Sequence, residues 1–123
     1  MWPFFSYQQV LTMIFSESLK KNRDFRTVYR KGRSYANKYL VMYSMENHQS
    51  KNRLGISVSK KVGNSVVRHR IIRLVRESYR LHENMFNSGL DIVVVARGCA
   101  AGASYQEIRD AVLYLGKIHK IVL

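Results

Sequence analysis

Residues 59–80, SKKVGNSVVRHRIIRLVRESYR, limit the possible folds more than any other stretch, because only a helix sorts their side chains by chemistry. At about 100° per residue, Val67, Ile71, Leu74, Val75, Ser78 and Leu81 fall on one side. His69, Arg73, Arg76 and Arg80 point the opposite way, with Arg68 and Arg70 on the flanks. A helix of this kind must lay its apolar stripe on a sheet or on another helix. Lys60 and Lys61 lead into a Gly63-Asn64 turn, and Asn64 or Ser65 is expected to cap the helix. Solvated helix faces normally mix charge signs, yet only Glu77 interrupts these arginines. The planar guanidinium fork also matches phosphate oxygens. The face is built to meet a polyanion.

The rest of the chain supplies partners for that stripe. Asn22 is the expected N-cap of a helix over Arg23–Lys31, stopped by Gly32. Tyr39–Met45 alternates as a strand, with Leu40 and Met42 on one face and Tyr39, Val41 and Tyr43 on the other. Glu46–Asn52 reads as a polar hairpin loop into a second strand, Arg53–Ser59. Asp91–Ala96, apolar throughout after its first residue, predicts a central strand covered on both faces. Ser104 and Glu107 then form a capping box for a last helix carrying Ile108, Val112, Leu115, Ile118 and Val122. This order predicts an α+β fold, a small two-layer sandwich of three helices on a mixed sheet of about four strands.

Composition narrows the function. The chain has 123 residues, 21 Lys and Arg against eight Asp and Glu, and a net charge of +13. That length suits one domain, and that charge calls for a polyanionic partner. Residues 1–17 are expected to be a non-core N-terminal extension, and 18–123 a single domain. Cys99 is the only cysteine, which excludes an internal disulfide and suits a reducing, cytoplasmic setting; it is expected to be a small buried side chain. No run approaches the roughly 18 apolar residues of a spanning helix, and no membrane role is expected.

Catalytic residues are not apparent. The acids Glu17, Asp24, Glu46, Glu77, Glu83, Asp91, Glu107 and Asp110 show no metal-binding spacing, nor do His48, His69, His82 and His119. The expectation is no catalytic residue and no metal ligand in the protein. Phe25, Tyr29 and Tyr43 admit two readings on residue type alone: core side chains, or platforms that stack unpaired bases. The neighbouring Lys20, Lys21, Arg23, Arg26, Arg30 and Lys31 keep the second open. Asn64 is likewise a helix cap or an RNA contact.

The run G-I-S-V-S-K-K-V-G-N-S-V-V-R-H-R-I-I-R-L-V-R-E-S-Y-R, with L-K-K-N-R-D-F-R-T-V-Y-R-K-G before it and D-I-V-V-V-A-R after it, resembles the bacterial ribonuclease P protein family. The resemblance spans roughly Leu19 to Leu115. It implies a protein that binds a catalytic RNA and precursor tRNA, needs no protein partner, and assists endonucleolytic removal of the 5′ leader. The RNA would then carry the hydrolysis and most of the Mg2+, with the protein strengthening metal-ion binding. Phe25, Tyr29 and Tyr43 match the family's leader-binding cleft. Lys60, Lys61, Asn64, Arg68, His69, Arg70, Arg73 and Arg76 match its contacts to the catalytic RNA and the cleavage junction. His69 stands where the family usually has Asn, and Ile72 where a basic residue is common. The resemblance also implies a left-handed β-α-β crossover through the arginine helix, against the general right-handed rule. The alternative function is a non-enzymatic ribosomal or RNA-chaperone module.

Overall fold

A computed structural model describes residues 16–122. Their strands are β1 (Ser16–Ser18), β2 (Arg33–Ala36), β3 (Leu40–Glu46), β4 (Asn52–Ser57) and β5 (Leu90–Ala96). Their helices are α1 (Asn22–Lys31), α2 (Ser65–His82) and α3 (Tyr105–Ile118). All five strands form one mixed sheet in the order β1-β4-β5-β3-β2. β5 lies at its centre, parallel to β4 and antiparallel to β3. Its uninterrupted apolar run is what a strand covered on both faces requires.

The faces divide the helices. Ile92 and Val94 of β5, with Leu40 and Met42 of β3, pack with Ile71, Val75 and Tyr79 of α2 and with Ile108, Val112 and Leu115 of α3. Val93 turns the other way, packing with Val28 of α1 and with Leu19 in a smaller cluster joined by Phe25, Tyr43 and Met45. The α+β class and the three helices stand. The sheet gains a fifth strand, and α1 lies across the face opposite α2 and α3.

Several local expectations are corrected. Ser16 and Glu17, assigned to the extension, belong to β1, which pairs parallel with β4; residues 1–15 lie outside the described residues. β2 was not expected: its four residues are all exposed, so they carry no burial pattern. Residues 46–52 do not close a hairpin, because β5 separates β3 from β4. Asn52 is instead the buried first residue of β4. Its side-chain N–H groups donate to Asn87 O (2.7 Å) and Tyr79 Oη (3.1 Å), and its Oδ1 accepts from Leu90 N (2.9 Å). Those three bonds fasten β4 beside β5 and α2. Lys21, not Asn22, is the N-cap of α1 and makes no side-chain cap bond, because the backbone turns helical one residue early. In α2, Tyr79 replaces Leu81 on the buried stripe, since Ile71, Val75, Ser78 and Tyr79 follow i, i+4, i+7, i+8; Leu81 is half exposed. Cys99 is exposed, set on the short turn of 3-10 helix that follows β5.

One buried histidine ties α3 to the sheet. His119 Nε2 lies 2.8 Å from Met42 O, an acceptor, so that nitrogen carries the proton; Nδ1 accepts from Ser44 Oγ at 2.8 Å. Burial, with Arg33 contributing, lowers the His119 pKa below the usual 6.5. The folded protein therefore holds the ring neutral while the unfolded chain takes up a proton first. The stability this ring contributes is fully present well above pH 6.5 and is lost as the pH drops toward the depressed folded value. Urea midpoints should decline between pH 7.5 and 5.5, and His119→Gln should flatten that slope.

Candidate nucleic-acid interface

The three aromatic candidates meet on the α1 face of the sheet. Phe25 and Tyr29 sit one helical turn apart, with ring centroids 6.3 Å apart. Tyr29 meets Tyr43 of β3 edge-on at 5.0 Å. Phe25 and Tyr43 are half-buried, and Tyr29 is 39% exposed. Phe25 and Tyr43 pack in part against the core cluster of Leu19, Val28 and Val93, and each keeps some surface open. Lys20, Lys21, Arg23, Arg26, Arg30 and Lys31 around it are all exposed.

Beside the rings runs an open groove of about 500 Å3, lined by Phe25, Tyr29, Ser57 and Ile72 among others. It joins α1 to the first half of α2 across the end of β4. Gly55 of β4, not singled out from the sequence, lies buried against Phe25. A Cβ there would lie 2.6 Å from Phe25 Cζ, so only glycine lets the ring come this close to β4. A glycine inside an alternating strand is itself a sign of close approach. Gly55→Ala should displace Phe25 and weaken whatever the groove holds; binding that stays unchanged would separate Phe25 from the groove's function.

α1 is anchored by charge. Arg53 of β4 makes a fork to Asp91, Nε to Oδ1 at 2.8 Å and Nη2 to Oδ2 at 2.6 Å, and reaches Asp24 of α1 at 3.4 Å. Two acids far apart in sequence are thus brought together, but around a guanidinium. Among the described residues no three His, Cys, Asp or Glu side chains converge as a metal site.

The cationic candidates form a second, adjoining surface. Lys60 and Lys61 occupy an exposed turn closed by Val62 N to Ser59 O at 3.1 Å. Asn64 caps α2, its Oδ1 accepting from Val67 N at 3.0 Å. The amide nitrogen of that exposed side chain has no part in the cap. His69 and Arg73 are exposed. Arg70 is exposed and donates to Ala103 O at 2.9 Å, which aims it along the protein surface. Arg68 and Arg76 are half-buried, and the Nε of each is shielded without a hydrogen-bond partner among the described residues. Arg80 is held by Glu77 through two bonds, at 2.6 and 3.2 Å, and its charge is largely spent within the helix.

A groove edged by partly open rings beside an arginine-faced helix has the chemistry to meet single-stranded RNA. The family model described as Ribonuclease P matches residues 13–119. The chain belongs to the ribonuclease P protein family. It is 64% identical over 107 residues to the "Ribonuclease P protein component" of Lachnoclostridium phytofermentans, covering 87% of this chain and 92% of that one. Against the component of Alkaliphilus metalliredigens the identity is 50%, over 87% and 96% of the two chains. The solved ribonuclease P protein of Staphylococcus aureus superposes with a TM-score of 0.81 at 38% identity, over 88% of this chain and 99% of that one. That of Thermotoga maritima gives 0.76 at 32%, over 83% and 96%. Ribonuclease P proteins therefore share both the sequence pattern and the architecture found here.

Proposed function

We propose that the chain is the protein subunit of ribonuclease P, acting in tRNA 5′ processing and pairing with a catalytic RNA that performs the hydrolysis. The observation that carries this reading is the aromatic groove set beside the arginine helix. Rings that stack bases contribute about 1–3 kcal/mol per base and accept any sequence, which suits leaders of varied sequence. Phe25, Tyr29 and Tyr43 would grip the leader as an extended single strand. Lys60, Lys61, Asn64, Arg68, His69, Arg70, Arg73 and Arg76 would face the catalytic RNA and the cleavage junction. Arg68 and Arg76 are half-buried, and the part of each guanidinium left open suits a phosphate oxygen.

Asp24 and Asp91 are both engaged by Arg53. In this reading the RNA holds most of the Mg2+. Among the described residues no helix is long and apolar enough to cross a membrane, and the proposed setting is the cytoplasm.

Reconstitution tests the proposal. The protein added to a bacterial ribonuclease P RNA at low Mg2+ should restore leader removal, while the protein alone should leave precursor tRNA intact. Cleavage by RNA-free protein, or no stimulation of the RNA, would overturn it. An RNA chaperone would bind without stimulating site-specific cleavage.

A further inference from the structure

We propose that a second pocket, at the opposite end of the strands from the aromatic groove, binds a phosphate of the leader beyond the stacked bases. This rests on the leader-binding reading of the groove. The pocket is a hollow of about 620 Å3 lined by Lys31, Arg33, Glu46, His48, Gly89 and Lys120, among others. The groove lies where Ser57 pairs with Val95 and Val95 with Val41; the pocket lies where Glu46 pairs with Leu90. Five steps along β3, at about 3.4 Å each, put the two about 17 Å apart. α1 bridges them: Phe25 and Tyr29 line the groove, and Lys31, at the end of the same helix, lines the pocket.

The charge suits an anion. Lys31, Arg33 and Lys120 have no carboxylate within ion-pair distance among the described residues. Among the described residues that line the pocket, Glu46 is the one acidic side chain. α3 also ends here, but its partial negative charge of about half a unit is outweighed by three full positive ones.

The backbone carries a second, independent sign. Among the described residues the left-handed conformations are His48 (φ 58°), Gly89 (φ 80°) and Lys120 (φ 60°), and all three line this pocket. Lys120 closes α3, with Lys120 N bonded to Lys117 O at 2.9 Å and Ile121 N to Gly116 O at 3.0 Å. That position in a helix terminus is the one glycine fills by default. The cap itself calls for glycine, whereas a phosphate calls for the lysine. Residues held in disfavoured backbone conformations gather at functional sites, and here they frame the cationic hollow.

The experiment compares leader lengths. The holoenzyme is assembled with wild-type protein, Arg33→Ala or Lys120→Gly, and binding is measured for precursor tRNAs with leaders that only fill the groove and leaders that extend past it. Wild type should bind the longer leaders more tightly. Each variant should lose about 3- to 10-fold of that gain, as expected for one phosphate contact, and bind the shorter leaders within about twofold of wild type. Lys120→Gly should melt no lower than wild type, which excludes unfolding as the cause. Equal weakening at every length, or none, would overturn the pocket, as would a wild type indifferent to the added nucleotides. Short leaders that bind no better than mature tRNA, with the long-leader gain intact and lost in the variants, would instead sink the groove and spare the pocket.

Discussion

Phe25→Ala is expected to weaken binding of precursor tRNA to the holoenzyme by about 5- to 150-fold, the loss of one base-stacking platform. Mature tRNA should bind within about twofold of wild type. Tyr43→Ala should behave alike, because Tyr43 completes the same surface through Tyr29. Phe25 also fills the space over Gly55, so its truncation will cost stability as well. The comparison with mature tRNA handles this: a poorly folded subunit harms both substrates, whereas a missing platform harms only the one with a leader. Equal losses for the two, measured as dissociation constants at one fixed salt concentration, would remove the rings from leader recognition. The salt must be fixed because phosphate contacts by the surrounding cations weaken steeply as it rises.

The second large effect is on stability. Arg53→Met removes the guanidinium that pairs with Asp91, a carboxylate only 4% exposed. Breaking a buried pair costs about 3–5 kcal/mol because the remaining charge is stranded. The Arg53 side chain is 24% exposed and Asn47 still donates to Asp91 at 3.0 Å, so the low end, about 3 kcal/mol, is expected. A domain of this size should then melt roughly 10 °C lower. Arg53→Met/Asp91→Leu should recover much of the loss, since apolar replacements of buried ion pairs are well tolerated. A single variant that melts like wild type would show that the pair does no more than a surface contact. Function is linked to the same residue: Arg53 also reaches Asp24, and through it the sheet holds the helix that carries Phe25 and Tyr29.

Much of this protein was legible in its sequence where period and chemistry coincide. The arginine helix, its cap, expected at Asn64 or Ser65 and found at Asn64, and the Ser104–Glu107 capping box rest on contacts within a few residues, while the central strand shows in an unbroken apolar run; each formed as expected. Phe25 and Tyr29, four apart on a helix, could be placed together for the same reason. β2 could not be read, because an edge strand that buries nothing leaves no alternation behind.

What the chain alone determined is therefore local: which segments are helical, which face of each is apolar, and how far the balance of charge leans toward a polyanion. Tertiary structure decided the rest. It inserted β5 between β3 and β4, set Asn52 and Arg53 as their fasteners, put α1 on the face away from the other helices, and brought Tyr43 to Tyr29. It also gathered Lys31, Arg33, His48 and Lys120 from three separate stretches of chain into one hollow. Side chains that meet only across a sheet leave no periodic trace, because the backbone geometry that sets sequence spacing acts within an element and not between them.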